Sequence, residues 1–268
     1  MSNHYVCITL DFDSVSLWQA MGQLGPSAIS RGEFGAVAAD RLLDLFTELG
    51  VVTTWYIPGM TVRTYPQVCQ RIVAAGHEVG HHGYRHIAPG KLAKDEEAEE
   101  LDRGLLALHQ ELGVKPFGYR SPAWELSQHS VELLLDRGFI YDSSLMGHDM
   151  LPYRVRQGDV VTQDEPIQFG QPSALWELPI SWSQDDFPHF EYFRGSGLMN
   201  ADGVMQNWLE DFAYLLEQDT GVLTYTLHPF VIGRGHRIRM LRKFILSLAE
   251  QGAEFITAKQ AIDRFSSK

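Results

Sequence analysis

The sequence has little cysteine, no excess of positive charge and no long apolar run. Each absence removes a class of function. Two cysteines in 268 residues, Cys7 and Cys69, without CxxC spacing, make no disulfide framework, so both are read as buried free thiols. Against 34 Asp and Glu stand 22 Lys and Arg, a net charge of −12. Binding to phosphate backbones needs clustered cations, so a nucleic-acid partner is not expected. No stretch approaches the ~20 apolar residues of a membrane span, so no membrane partner is expected either. Residues 1–5 carry neither the basic nor the apolar segment of a secretory leader, and the expected location is the cytoplasm.

What is present is the composition of a globular protein, 44% hydrophobic and 21% charged. Short β-branched apolar runs alternate with amphipathic stretches. Strands are expected at 6–10 (VCITL), 51–57 (VVTTWYI), 77–81, 117–121, 139–142, 175–180, 221–227 (GVLTYTL) and 254–257. Helices are expected at 41–49, 65–75, 94–113, 127–138, 203–218, 237–250 and 259–265. Residues 19–35 and 185–201 read as loops, and 147–173 as an excursion or hairpin. Strand and helix alternate from end to end, which predicts parallel strands with crossover helices. Seven or eight such units suggest a (β/α) barrel formed as one domain over residues 1–268.

The chemistry centres on residues 76–86, GHEVGHHGYRH. His82 and His86 lie four apart across a turn at Gly83, a spacing that lets two imidazoles converge on one ion. Strand alternation sends His81 and His82 to opposite faces, and His82 is chosen because it pairs with His86. In a barrel, catalytic groups gather at the C-terminal ends of the strands. Those ends carry Asp11 and Asp13, then His82 and His86, then Arg120, then His228. An Asp/His/His set leaves coordination positions for a water, which the metal would acidify. A second carboxylate would suit a general base, and a histidine on the opposite side a general acid. Each feature alone is commonplace. A D-x-D after a strand caps turns, a lone H-x-x-x-H is often structural, Arg120 could serve a surface ion pair, and Pro122 could merely stop a strand. Found at four strand ends in this order, they argue for one cavity.

Thr9-Leu10-Asp11-Phe12-Asp13, His82-Gly83-Tyr84-Arg85-His86, Arg120-Ser121-Pro122-Ala123-Trp124 and Leu227-His228-Pro229 resemble successive motifs of the polysaccharide deacetylase superfamily, the NodB-homology or carbohydrate esterase 4 group, over residues 5–265. The segments 30–35 (SRGEFG) and 141–146 (YDSSLM), with the D-x-D first motif, are similar to an intracellular branch with peptidoglycan deacetylase, allantoinase-like and cyclic imide hydrolase members. The resemblance implies a distorted (β/α)7–8 barrel of NodB-homology type. It implies a divalent metal, expected to be zinc, on Asp13, His82 and His86. Asp11 would be the base, Arg120 would orient it, and His228 would be the acid. Trp18, Trp124, Trp182, Pro122 and Asp185 are expected around the substrate pocket. The family usually has adjacent aspartates where this chain has D-x-D, so the roles of Asp11 and Asp13 stay open to exchange. The residue tuning His228 is Asp185 or Asp186, close to Trp182.

The activity so implied is metal-dependent hydrolysis of a non-peptide carbon–nitrogen bond. The expected substrate is a small cyclic amide, imide or ureide. A chain without a leader would not meet cell-wall glycans, and loops at 19–35 and 147–173 could close over a small ligand. The alternative is N-deacetylation of glycans containing N-acetylglucosamine, of peptidoglycan or chitin type. A catalytically silent carbohydrate-binding relative is disfavoured, because both acid and base candidates are present. Members of the branch imply a homo-oligomer, a tetramer.

Overall fold

The run from Tyr5 to Asp11 is apolar enough to be covered on both faces, and it lies at the heart of the sheet. In the computed structural model, which describes residues 3–192 and 197–267, strand β1 (His4–Asp11) is buried from Tyr5 onward. Its side chains alternate. Val6, Ile8 and Leu10 join the large outer core with Leu42, Phe46 and Phe244, while Tyr5 and Cys7 join an inner cluster with Tyr56 and Tyr141. The same period of two carries Thr9 and Asp11 to the inner face. Cys7 and Cys69 are both buried and free. Burial pushes both thiols up, Cys69 to about 12, which removes the thiolate that reactivity needs.

After β1 come α1 (Val15–Ala20), α2 (Pro26–Leu49), β2 (Thr54–Ile57), α3 (Gly59–Thr64), α4 (Pro66–Ala74), β3 (Glu78–His81), α5 (Lys94–Leu112), β4 (Gly118–Tyr119), α6 (Ser130–Asp136) and β5 (Tyr141–Asp142). A hairpin of β6 (Tyr153–Gln157) and β7 (Gln171–Glu177) follows. The chain closes with α7 (Asp186–Phe190), α8 (Ala201–Leu216), β8 (Gly221–Leu227), α9 (Pro229–Ile232), α10 (Gly235–Glu250), β9 (Glu254–Phe255) and α11 (Ala258–Ser266). The sheet order is β6-β7-β5-β4-β3-β2-β1-β8. Every pairing is parallel except β6 with β7. Short β9 pairs with Tyr5 and Val6 of β1, and β2 pairs further along with Thr9 to Asp11. The sheet is curled into a half-barrel. Past β8 the described residues add only a single parallel bridge, between Asp185 and Thr226. That incomplete closure is the distortion of the barrel. No helix of the described residues is long and apolar enough to cross a membrane.

Several local readings shift. Much of the expected loop at 19–35 is helix, since α2 begins at Pro26. Proline at the first position starts a helix at no hydrogen-bond cost, and tertiary contact outweighs the poor helix propensity of the glycines that follow. A Cβ on Gly32 would stand 2.7 Å from the Ser14 carbonyl oxygen, so only glycine lets α2 pack against the turn after Asp13. Helix α3 follows Pro58, which reads in the sequence as a strand stop. The loop expected at 185–201 contains α7, and its residues 193–196 lie outside the described ones.

Gly104 in α5 has the same character. A Cβ there would lie 2.1 Å from His81 Nε2 and 3.0 Å from the Gly83 carbonyl oxygen. Helix propensity alone would make Gly104→Ala stabilising by about 1 kcal/mol. Overpacking against His81 reverses the sign, and the variant is expected to lose about 1–3 kcal/mol in chemical denaturation.

Candidate active site

Asp11 and Arg120 form the innermost pair. Arg120 follows β4 and is fully buried. Its Nη1 donates to Thr9 Oγ1 at 2.8 Å and to Asp11 Oδ1 at 2.9 Å. Its Nε and Nη2 donate to the carbonyl oxygen and Oγ of Ser143, each at 2.8 Å. The guanidinium also lies 4.2 Å over the Tyr56 ring. A buried cation is tolerable only with its donors satisfied and its charge countered, and here both conditions hold. The surface ion-pair reading of Arg120 is therefore out. The second oxygen of Asp11, Oδ2, stands 3.9 Å from His82 Nε2.

The end of β3 separates the two neighbouring histidines. The His81 ring turns toward α5, with Nε2 3.1 Å from the Leu101 carbonyl oxygen, and burial lowers its pKa to about 3. His82 turns the other way, and its Nδ1 lies 2.6 Å from the Arg120 carbonyl oxygen. A carbonyl can only accept, so Nδ1 carries the proton and Nε2 is left with a free lone pair. The chain then turns through Gly83 at φ +70° and reaches His86, itself left-handed at φ 60°. Such a conformation in a non-glycine residue stores strain, and here it aims an imidazole at its partner.

Asp13 completes this group. Its carbonyl oxygen accepts from Ser16 Oγ at 2.6 Å and Thr61 Oγ1 at 2.7 Å, which pins the backbone. Asp13 Oδ1 lies 3.3 Å from His82 Nε2 and 3.3 Å from His86 Nε2. That oxygen is buried and no hydrogen-bond donor is aimed at it. Burial alone would raise the carboxyl, but the neighbouring imidazoles of His86 and His82 outweigh it electrostatically and hold Asp13 well below the usual carboxylate range. An orphaned carboxylate oxygen and two imidazole nitrogens, mutually within 4.8 Å, are the donor set of a divalent metal site with positions left over. The residues fit a metal.

On the opposite wall β8 ends at His228. Its backbone N–H donates to Asp186 Oδ1 at 2.9 Å, and its Nδ1 lies 2.8 Å from the same oxygen. Asp185 Oδ1 is further, at 3.4 Å, and takes the Phe187 N–H at the start of α7. Asp186 is thus the residue bonded to His228, with Asp185 adding charge. Burial works against a charged imidazole, yet Asp185 and Asp186 together raise His228 well above its ordinary range. Its Nε2 stands 3.8 Å from Asp13 Oδ2.

Asp11, Asp13, His82, His86 and His228 line one cavity of about 180 Å³, with Arg120 and Asp186 behind its wall. Trp124 and Trp182 stack with centroids 4.0 Å apart and wall one side, and Asp185 is also on the wall. Two expected wall residues stand elsewhere. Trp18 is fully buried beneath the Arg31 guanidinium, 4.1 Å from its ring centre, because its side of α1 faces the core. Pro122 is buried against Gly83, and its neighbour Ala123 takes the wall position. Leu17, Met21 and Phe187 also line the cavity. Leu17 and Met21, four apart just after the D-x-D, carried a helical signal that the sequence reading passed over. Beyond Met21 a wider recess of about 680 Å³ is lined by Gln23, Arg31, Lys91 and Tyr192, with Trp18 at its back.

Comparison with known proteins follows the same line. The sequence profile of the family described as polysaccharide deacetylase matches residues 25–141. A peptidoglycan deacetylase of Helicobacter pylori is 34% identical, over 97% of this chain and 95% of that protein. A crystal structure of a polysaccharide deacetylase-type protein from Mycobacterium smegmatis superposes with a TM-score of 0.85 at 30% identity, covering 99% of this chain and 91% of the other. An allantoinase structure superposes with a TM-score of 0.79 at 20% identity, covering 100% and 91%. At that identity the likeness speaks to fold alone.

Proposed function

The chain belongs to the polysaccharide deacetylase family, a hydrolase of non-peptide carbon–nitrogen bonds, and from that premise we propose that it removes the N-acetyl group of a peptidoglycan-type amino sugar as one catalytic domain over residues 1–268. One observation carries the reading. The orphaned Asp13 oxygen between two bare imidazole nitrogens shares a cavity with an arginine-held carboxylate and an aspartate-held imidazole. Asp13, His82 and His86 would hold the metal. When bound, a divalent cation, zinc being well suited to two nitrogens and one oxygen, would polarise the amide carbonyl and acidify water.

The chain's own groups do the rest. Arg120 binds Asp11 through Oδ1 and leaves Oδ2 to take a proton from the attacking water. Asp186 accepts at His228 Nδ1, which leaves the Nε2 proton for the departing nitrogen as the carbon–nitrogen bond breaks. The products are then acetate and a free amine. The Trp124–Trp182 stack shields the reacting atoms from bulk water. The Helicobacter pylori relative supports the amino-sugar reading, and the recess past Met21 leaves room for the remainder of a sugar chain. A second reading, a small cyclic amide or imide, is favoured by the small volume of the main cavity and its aromatic and aliphatic wall.

Metal-loaded protein should release acetate from oligomers of N-acetylglucosamine or from peptidoglycan fragments. Ring opening of cyclic imides without acetate release would replace this reading with the second. His228→Ala adds a sharper comparison. Protonation matters only as far as the leaving nitrogen is a poor leaving group, so turnover of acetamido sugars should fall by about 10²–10⁴-fold. For an imide, whose nitrogen leaves as a stabilised anion, the loss should be much smaller. An equal loss on both substrates would exclude His228 as the proton donor.

A further inference from the structure

The segment Tyr141-Asp142-Ser143-Ser144 touches the site above only through Ser143, which holds Arg120, yet it is among the most buried stretches of the described residues. Asp142 and Glu177 face each other in the parallel register of β5 and β7, and neither is exposed. Both carboxyl groups close on Ser144. Its Oγ donates to Asp142 Oδ1 at 2.7 Å, and its N–H donates to Glu177 Oε1 at 2.9 Å, beside the Leu145 N–H at 2.9 Å. The two remaining oxygens, Asp142 Oδ2 and Glu177 Oε2, are buried without a donor. Two orphaned carboxylate oxygens on paired residues cannot both be ionised in a dry interior, whereas one proton between them satisfies both. Burial raises the two groups, Asp142 to about 6, and the charge of Asp142 raises its register partner Glu177 further.

This acid pair sits behind the candidate base. Ser143 and Ser144, directly after β5, are the segment on which Arg120 hangs. Ser143 receives two of the arginine's hydrogen bonds, and its Oγ donates onward to the Leu178 carbonyl oxygen at 2.9 Å. Ser144 Oγ also accepts the Ser121 N–H at 2.8 Å, which ties down the residue after Arg120. We infer that Asp142 and Glu177 share one proton in the folded protein, and that this pair is a positioning device which fixes the Ser143-Ser144 segment, through it Arg120, and through Arg120 the carboxylate of Asp11. Arg120 then lies between two single negative charges, Asp11 in front and the proton-sharing pair behind. The other groups facing the pair are Tyr119 and Tyr153, and burial raises both phenols so that they stay neutral. The base role of Asp11 rests on the function proposed above. The shared proton and the anchoring of Arg120 do not.

Two variants test this. Glu177→Gln copies the neutral, donating form of the acid and keeps the pair at one negative charge. Glu177→Leu removes the acceptor for two backbone N–H groups. Infrared difference spectra at neutral pH should show a protonated-carboxyl C=O band in wild type that is missing from Glu177→Gln. Raised carboxyl pKa values contribute stability that is complete below the unfolded range near 4 and is lost as pH rises through the folded values. The wild-type melting temperature should therefore fall between about pH 5 and 8 more steeply than that of Glu177→Gln. Crystal structures should show the Ser143–Arg120–Asp11 chain intact in the Gln variant and broken in the Leu variant. With metal content unchanged, kcat should stay within about twofold for Gln and drop at least about tenfold for Leu, with KM little moved. A carboxyl band that persists in Glu177→Gln overturns the shared proton. An intact chain to Asp11 in Glu177→Leu overturns the positioning role, independently of any substrate. Absence of turnover in wild type would count against the proposed function while the spectra and structures still decide this inference.

Discussion

Asp11→Asn is expected to lower turnover by about 10²–10⁴-fold while the divalent ion stays bound at full stoichiometry. The substitution keeps size and shape and removes only the capacity to take a proton. Metal should survive because the oxygen lying 3.3 Å from both imidazole nitrogens belongs to Asp13, not Asp11. Asp11 is committed through Oδ1 to Arg120, and its nearest approach to the histidine nitrogens is 3.9 Å. Asp13→Asn should show the reverse pattern, with metal lost first and activity lost as a consequence. The check is metal content by mass spectrometry beside initial rates for both variants, with melting curves to exclude unfolding. Metal loss in Asp11→Asn together with retention in Asp13→Asn would mean that the two carboxylates have exchanged roles. If both variants keep metal and most of their activity, neither aspartate does chemistry.

His82→Ala and His86→Ala should each remove the metal at chelator concentrations that leave wild type loaded. The expected loss exceeds the roughly 10–100-fold that a missing outer-shell partner costs, because a ligand itself is gone. His81→Ala is the control. It should keep the metal, since its ring is spent on the Leu101 carbonyl oxygen and the Gly83 N–H behind the cavity. It should instead lose about 1–3 kcal/mol of stability, because those buried partners are left unpaired. Competition with a chromophoric chelator measures all three variants. Stoichiometric metal in the His82 and His86 double variant would end the assignment of this site, and metal loss in His81→Ala with unchanged stability would redraw it.

The legible part of this protein is the part written in short periods. Alternation along the strand that ends in the histidine motif separates His81 from His82. The less legible part depends on groups far apart in the chain. Gly32 sits inside α2 because Ser14 needs the space, and a sequence window scores it only as a poor helix residue. Trp18 reads like any other aromatic near an active-site motif, yet packing sends it beneath Arg31 and leaves Leu17 and Met21 on the wall. Asp185 and Asp186 are chemically equivalent on paper. Capping of α7 draws Asp185 to the Phe187 N–H and leaves Asp186 to bond the His228 ring.

By itself the sequence determined the alternation of strands and helices, the family, and the fact that its aspartates, histidines and arginine fall at the ends of parallel strands. Those properties follow from local periodicity and from motif order, which need no knowledge of what packs against what. The tertiary structure alone decided which oxygen stands between the two imidazoles, which aspartate bonds His228, how Trp124 and Trp182 come to stack, and how Asp142 and Glu177 meet over Ser144. Each is a distance of a few ångströms between residues tens of positions apart. Hydrogen bonds and metal coordination fall off within that distance, so only the folded chain carries the information.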